Sequence, residues 1–343
     1  MPLHVIPATG PILERILDDT FAMWHDGMSR ENYGRFWAGQ LKTAWGAAHL
    51  DRVALVDGPH VVSSAKRYDL SLRIDGRIRR VLGIGAVFTA PAYRGRGAAR
   101  ELISRMLETA VAEGQEFAML FSEIAPAFYE RLDFVPVPLV EKRLEVNRMT
   151  GGPPAMLVRS GDDRDLPWLV DMGATRAAGA RLALNRSEDF MRFGVSKMRL
   201  HSGLGAPQLR TTEFLVVEEG HQAVAYLVCS VSRSRRRPTA DGRQLPGDSR
   251  HEETSWTIEE AGDRDPSGAR LGAMLQTMLS RHPADPLPDI RAWWPQSLAP
   301  PQVRIASVSP THEVLMIRPL RDRLLPLPPL AADEVVFWHA DYF

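Results

Sequence analysis

The chain has 343 residues, which is enough for about two domains at roughly 150 residues each. Its 42 basic and 42 acidic residues give a formal net charge of zero, which argues against a surface built to hold nucleic acid or anionic lipid. The single cysteine, Cys229, excludes an intramolecular disulfide framework and leaves any structural zinc to histidine and carboxylate ligands.

No stretch reaches the ~18 uncharged apolar residues that a membrane span needs, so no membrane association is predicted. The N-terminus lacks the basic segment and apolar core of a secretory signal. We therefore expect a cytoplasmic protein, and its richness in Arg and Ala suggests a bacterial source. We also predict no metal site, because His251 has no second histidine at helical spacing.

The first 150 residues alternate between predicted strands and helices. Strands are predicted over 3–7, 52–56, 61–74, 81–89, 117–121 and 134–140, and helices over 12–28, 30–50, 98–113 and 126–132. Ser29 is the predicted N-cap of the second helix. The strand 81–89 is apolar throughout and therefore central, and Gly83 and Gly85 predict close approach of another backbone or of a ligand.

A second unit is predicted after the linker candidate Gly151–Pro154, where the pattern starts again. Its strands and helices follow an order similar to the first, without a residue-level repeat. We divide the chain into residues 1–150, residues 151–320 and a C-terminal tail of residues 321–343. The tail ends in aromatic residues, which predicts that it docks rather than frays.

The segment 87–100 carries the chemistry. A strand ends at Thr89, Gly95 and Gly97 follow in a turn, and a helix begins near Ala98. This arrangement presents free backbone N–H groups and a positive helix end, so it predicts a binding site for a phosphate cluster. The competing interpretations are an ordinary strand–helix turn and a dinucleotide fingerprint, whose third position is here the bulky Arg100. A Walker A loop is excluded, because no Gly-Lys-Ser/Thr follows.

Two motifs in order resemble those of the GNAT superfamily of N-acetyltransferases. Arg94-x-x-Gly97-x-Ala99 resembles the acetyl-coenzyme A signature, and Tyr129 to Phe134 resembles the second motif, with Asp133 in place of the usual glycine. The resemblance covers about residues 1–140. It implies an α/β (α+β) fold with a mixed, mostly antiparallel sheet flanked by helices. The element order and the segment 315–320 further resemble the enhanced-intracellular-survival acetyltransferases, which carry two such domains in tandem.

The resemblance implies that acetyl-coenzyme A is the co-substrate and a primary amine the acceptor. The coenzyme would lie between the strands 81–89 and 117–121, where they splay apart. Its pantetheine arm would pair with the backbone of residues 87–89, and its pyrophosphate would bind the turn and helix end. The cofactor-binding residues are then Val87, Phe88, Thr89, Arg94, Gly95, Arg96, Gly97, Ala98, Ala99 and Arg100.

Three residues are candidates for proton transfer. By its position in the motif, Tyr129 is the candidate acid for the leaving thiolate, since its ordinary pKa near 10 keeps it protonated; a core tyrosine is the alternative. The central strand carries no glutamate, and Glu123 is the nearest candidate base, or else a carboxylate that stabilises a helix N-terminus. The resemblance also implies that the carboxylate of Phe343 enters the cleft as a base, whereas a packed tail is the alternative.

The acceptor stays open at this stage. Aromatic residues of the N-terminal helices, with Asp18, Asp19, Asp26 or Glu31, would suit a cationic amine, although core packing and solvated surface explain the same residues. The second unit is expected to have lost the coenzyme site, because its loop 259–268 is acidic and would repel a pyrophosphate. Two classes therefore remain, an N-acetyltransferase and a non-catalytic acyl-coenzyme A-binding protein, and a homo-oligomer is left open.

Overall fold

A computed structural model describes residues 3–147, 156–205, 210–235, 252–281, 287–321 and 329–343. The linker candidate Gly151–Pro154 lies outside the described residues. Among those described, no helix is long and apolar enough to cross a bilayer. Within the same ranges, no group of three or more His, Cys, Asp or Glu side chains could hold a metal ion.

The chain folds into sixteen strands and eight α-helices among the described residues, with short 3-10 turns between them. The strands are β1 His4–Pro7, β2 Leu50–Asp57, β3 His60–Ile74, β4 Arg77–Thr89, β5 Phe117–Ser122, β6 Val135–Pro136, β7 Val140–Val146, β8 Leu157–Ser160, β9 Leu182–Leu184, β10 Arg210–Glu219, β11 Gln222–Arg235, β12 Glu252–Asp263, β13 Asp289–Ala292, β14 Val303–Pro310, β15 Val314–Pro319 and β16 Val335–Val336. The helices are α1 Gly10–Trp24, α2 Arg30–Gln40, α3 Ala44–His49, α4 Ala98–Ala112, α5 Ala127–Glu130, α6 Leu166–Ala177, α7 Glu188–Leu204 and α8 Ala269–Ser280.

Two sheets share one strand order. The first runs β1-β2-β3-β4-β5-β15-β6, and the second runs β8-β10-β11-β12-β13-β7-β14. In each sheet one central pair is parallel, β4 with β5 and β12 with β13, and the other pairs of that path are antiparallel. The mixed, mostly antiparallel α/β fold predicted from the resemblance is confirmed.

The two sheets exchange one strand each. Strand β15 comes from the C-terminal half and lies between β5 and β6, whereas β7 comes from the N-terminal half and lies between β13 and β14. The short strands β9 and β16 extend the first sheet beside β3. Each sheet therefore needs chain from both halves, and the division at residue 150 stays a prediction.

The first sheet is covered on both faces. Leu102, Ile103 and Met106 of α4 pack on one face, against Leu82 and Ile84 of β4. The other face lies under the N-terminal helices, α7 and the C-terminal tail, and its core includes Trp37, Tyr68 and Phe337. These two faces define where the functional site lies.

Local sequence explains most element ends. Ser29 caps α2 as predicted, its hydroxyl accepting from the Asn32 N–H. The prediction of one helix over 30–50 is wrong. Thr43 caps a new helix at its N-terminus, and a Cβ at Gly46 would lie 2.1 Å from the Gln40 carbonyl oxygen, so this sharp turn needs glycine.

Two further element predictions are corrected. The predicted strand 134–140 is interrupted, because Val135–Pro136 pairs in the first sheet and Val140 already begins β7 of the second. The predicted acidic loop 259–268 begins as strand, since β12 continues to Asp263. Glu259 and Glu260 are buried in that strand, so they do not line a loop.

Candidate active site

Strands β4 and β5 separate along their length. They pair in parallel from Val81 with Phe117 to Ile84 with Leu120, and pairing ends there although both strands continue. Ala86 has φ +47°, an irregularity that bends β4 beyond the last pair. Backbone groups of the unpaired part of β4 therefore border a V-shaped opening, as the resemblance implies for a pantetheine arm.

The end of β4 is held in place by strand β3. The Ser63 hydroxyl donates to the Phe88 carbonyl at 2.6 Å and lies 3.2 Å from the Thr89 hydroxyl. Phe88 is buried, whereas Val87 and Thr89 are half-buried. This anchoring fixes the backbone of residues 87–89 at the edge of the opening.

The turn after β4 leaves its backbone accessible to a ligand. Gly95 and Gly97 have φ +73° and +81°, and Gly97 is the N-cap of α4. A Cβ added at either glycine would meet no described atom within 4 Å, so the space in front of this backbone is open. Because glycine offers no capping side chain, the first N–H groups of α4 remain available to an acceptor group.

Two of the three arginines predicted at this turn remain unpaired. Arg94 folds back and donates to the Thr89 carbonyl at 3.2 Å. Arg96 and Arg100 are exposed and form no ion pair with another described residue. They line a surface cavity of about 460 Å³ at the beginning of α4, and its other lining residues are Leu3, Asp57, Val62, Tyr93, Gly97, Ala98, Glu101 and Ser104. Positive charge and open amides thus meet in one cavity.

Tyr129 lies on the α4 face of the sheet. It is buried and packs against Phe128 and Phe134, with ring centroids 4.9 and 6.1 Å away. Its hydroxyl makes no hydrogen bond to another described residue. Burial, and then the nearby carboxylate of Glu123, raise the pKa of Tyr129 to about 12. The phenol therefore keeps its proton at neutral pH.

Glu123 is exposed at the end of β5, and its carboxylate accepts a hydrogen bond from the Tyr342 hydroxyl. Burial, followed by this bond, raises the pKa of Tyr342. The contact gives Glu123 a direct part in holding the C-terminal tail.

The tail ends beside the opening, on the face opposite α4. A Cβ at Gly85 would lie 2.9 Å from the Phe343 carbonyl oxygen, and one at Gly83 would lie 3.0 Å from the Phe343 ring. The ring also packs against Tyr68 and Phe121, with centroids 4.6 and 5.5 Å away. The predicted close approach of another backbone is confirmed at Gly85, where that backbone is Phe343, whereas side chains of Leu70, Tyr68 and Phe343 crowd Gly83.

Groups from the second half of the chain hold this tail. Lys197 of α7 donates to the Tyr342 carbonyl at 2.7 Å. Asp341 is buried and forms an ion pair with Arg186, which lies 3.3 Å from Glu260. Tyr226 donates to Glu260 at 2.8 Å and so completes a buried network. Sequence reasoning missed these anchors, because residues from α7, the segment before it, β11 and β12 meet only in the folded chain.

Arg52 and Lys66, partners on the neighbouring strands β2 and β3, were also missed. Arg52 is 3% exposed and Lys66 is half-buried, and both carry their charge over the Trp37 ring, 5.4 and 5.8 Å from its centroid. Alternation of Arg52 with apolar neighbours in β2 was a signal that one charged side chain faces the core. By contrast, the predicted acceptor residues Asp18 and Asp19 pair with Arg30 and Arg15 on the surface.

Comparison with known proteins gives the family of the N-terminal part. The model of the acetyltransferase (GNAT) domain family matches residues 12–137. No curated protein matches the sequence.

Several solved structures share the fold across nearly the whole chain. A GCN5-related N-acetyltransferase from Anabaena variabilis has a TM-score of 0.64 at 13% identity, covering 93% of this chain and 73% of its own. One from Kribbella flavida has a TM-score of 0.58 at 17% identity, covering 93% and 71%. Eis1 from Mycobacterium abscessus has a TM-score of 0.53 at 12% identity, covering 92% and 74%. The chain therefore carries a GNAT acetyltransferase domain over residues 12–137, a domain type that implies acyl transfer from an acyl-coenzyme A.

Proposed function

We propose that this protein is an N-acetyltransferase that transfers an acetyl group directly from acetyl-coenzyme A to a primary amine of a small molecule or peptide. Residues 1–150 would be catalytic, 151–320 a supporting unit without a coenzyme site, and 321–343 a tail that completes the catalytic cleft. A cytoplasmic location belongs to the same proposal.

One observation carries the proposal. The parallel strands part beyond Ile84, and the uncapped turn at Gly97 and the C-terminal carboxyl of Phe343 both lie beside that opening. A coenzyme needs the opening for its arm and the turn for its pyrophosphate. A direct transfer needs, in addition, an acid and a base at the thioester.

The proposed acid and the proposed base lie on opposite faces of the sheet. The neutral amine would attack the thioester carbonyl and form the C–N bond, after which the C–S bond breaks. Tyr129, protonated and on the α4 face, would give its proton to the leaving thiolate. The carboxylate of Phe343, on the opposite face, would take the proton that the amine loses. Glu123 would position the tail through Tyr342 and is a weaker candidate for the base itself.

The test is coenzyme binding followed by turnover. Calorimetry should detect binding of coenzyme A and acetyl-coenzyme A at modest salt, and an amine panel should release free thiol. Absence of binding would contradict the assignment altogether. Binding with no thiol release on any amine would instead favour the alternative, a non-catalytic acyl-coenzyme A-binding protein.

A further inference from the structure

Arg52 is a buried cation without a matching anion. Its side chain enters the core from β2, and Nε and Nη2 have no hydrogen-bond partner among the described residues. No described carboxylate forms an ion pair with it. Burial lowers the pKa of Arg52, and the hydroxyl group of Tyr33, which hydrogen-bonds the guanidinium, and that of Tyr68 oppose this shift. An unpaired charge in such a place is costly, since several kcal/mol of desolvation are not offset.

The same place contains further unpaired donors. The indole Nε1 of Trp37, the ring beneath Arg52, is buried and lacks a partner within the described chain. Lys66 lies over the same ring. The like charges of Arg52 and Lys197 lower the pKa of Lys66. We call Arg52, Lys66 and Trp37 the cationic patch. Residues kept in such an arrangement against their own stability are typical of functional sites.

The cationic patch lies on the same cross-strand row as the opening between β4 and β5. Arg52 of β2 pairs with Lys66 of β3, and Lys66 pairs with Gly85 of β4, the glycine that the Phe343 carboxyl contacts. Since neighbouring strands lie about 4.8 Å apart, Arg52 is about 10 Å from the opening, measured across the sheet. A small molecule can span this distance with one group at each end.

We propose that the acceptor amine carries a carboxylate, which binds to Arg52 in the cationic patch while its amine faces the opening between β4 and β5. This inference rests on the proposed function and names its substrate class, an amino acid with the amine and the carboxylate at opposite ends. The expectation drawn from Asp18, Asp19, Asp26 or Glu31 was of a cationic amine, and the carboxylate is added to it here.

The chemistry favours a carboxylate. Nε and Nη2 form one edge of the guanidinium group, and this edge makes two parallel hydrogen bonds to a planar carboxylate. Lys66 adds positive charge beside it and, being half-buried, marks the side on which the cationic patch meets solvent. Binding would give Nε and Nη2 of Arg52 the partners that they lack.

The kinetic test compares matched amines. 4-Aminobutanoate and 6-aminohexanoate are set against butylamine and hexylamine, with acetyl-coenzyme A and thiol release as the readout. At least one amino acid should exceed its alkylamine in kcat/KM by about tenfold to hundredfold. In R52M this ratio should fall towards one, and R52K should restore part of it. The control R77M, an exposed arginine of β4, should keep the wild-type ratio.

A stability measurement separates a binding role from a structural one. R52M should melt at a higher temperature than the wild type, because an unpaired buried charge is removed. Added 6-aminohexanoate should raise the melting temperature of the wild type and not that of R52M. A lower melting temperature of R52M, or a ratio near one in the wild type, would overturn the inference.

The two proposals fail in different ways. If acetyl-coenzyme A binds and alkylamines react as well as amino acids, the substrate class is wrong and the acetyltransferase remains. If no coenzyme binds while 6-aminohexanoate still stabilises the wild type but not R52M, the carboxylate site remains and the proposed reaction is wrong.

Discussion

Helices α4 and α8 occupy the same place in the two sheets, and each begins at a glycine with left-handed backbone, Gly97 and Gly268. What lies in front of the two glycines differs. A Cβ at Gly97 would meet open space, whereas one at Gly268 would lie 3.0 Å from Pro300 and 3.1 Å from Leu298. The equivalent space in the second sheet is filled by the protein itself.

The backbone groups of α8 are also satisfied internally. Asp263 accepts from the N–H groups of Asp265 and Leu271, Asp265 accepts from that of Ser267, and the Ser267 hydroxyl accepts from that of Ala269. The N-cap Gly97 of α4 makes no such bond. Two helix ends of the same topology can therefore differ in binding capacity, because side chains and packing decide whether their N–H groups are free.

The largest expected effect tests whether the chemistry lies at the first sheet. Y129F should lower turnover by about 10²- to 10⁴-fold, because the thiolate loses its proton donor, while coenzyme affinity changes little. Thiol release and calorimetry measure the two quantities. Unchanged turnover in Y129F would reject the role.

The second test concerns the tail, which reaches the opening of the first sheet only. Deleting Tyr342 and Phe343 should lower turnover by about tenfold to hundredfold, since the carboxylate beside Gly85 is lost as a base. F343A keeps a terminal carboxylate and should lose less activity. Full activity of the truncated enzyme, assayed by thiol release, would exclude the tail as the base.

A third test compares the two helix ends directly. A99E places a negative charge in the first turn of α4, so the affinity for coenzyme A should fall about tenfold or more by repulsion of the pyrophosphate. The helix itself should not suffer, because an acid at its N-terminus is favourable. A269E, at the first position of α8, is the comparison variant, and calorimetry should find its affinity equal to that of the wild type. Equal losses in both variants would break the comparison.

The smallest predicted effect comes from comparing two cations, Arg186 and Lys66, instead of two helix ends. Arg186 is paired with Asp341 and Glu260, whereas Lys66 has no ion pair among the described residues. Burial, and then Arg52 and Lys197, lower the pKa of Lys66 to about 7, and Asp26 opposes this shift. The unfolded pKa lies near 10.4, so the charged lysine destabilises the fold fully below pH 7 and progressively less towards pH 10.

K66M should therefore raise the melting temperature by about 2–4 °C at pH 6 and by little at pH 10. Thermal melts across this pH range measure the difference. A gain that does not depend on pH would show that packing, and not the charge of Lys66, limits stability.

The sequence by itself determined the local parts of this protein. Hydrophobic periodicity predicted α4 almost to the residue, and the two glycines predicted the open turn before it, because both depend on residues close together in the chain. The motif resemblance also gave the mixed sheet, confirmed by the family match and the fold comparisons. In the second half, an acidic loop was expected to repel a pyrophosphate. Instead, Glu259 and Glu260 are buried in β12. The N–H groups at the start of α8 are satisfied by Asp263 and its neighbours.

The tertiary structure decided everything that joins distant residues. The sequences of β7 and β15 do not reveal that the two strands are exchanged between the sheets. The two sheets have the same strand order, so either strand could fit either sheet. The contact of Phe343 with Gly85 and the unpaired state of Arg52 likewise depend on residues hundreds of positions apart or on strands brought side by side. The hydrophobic periodicity of a segment determines its secondary structure locally. The contacts of a buried charge or of the last residue are determined only when the whole chain packs.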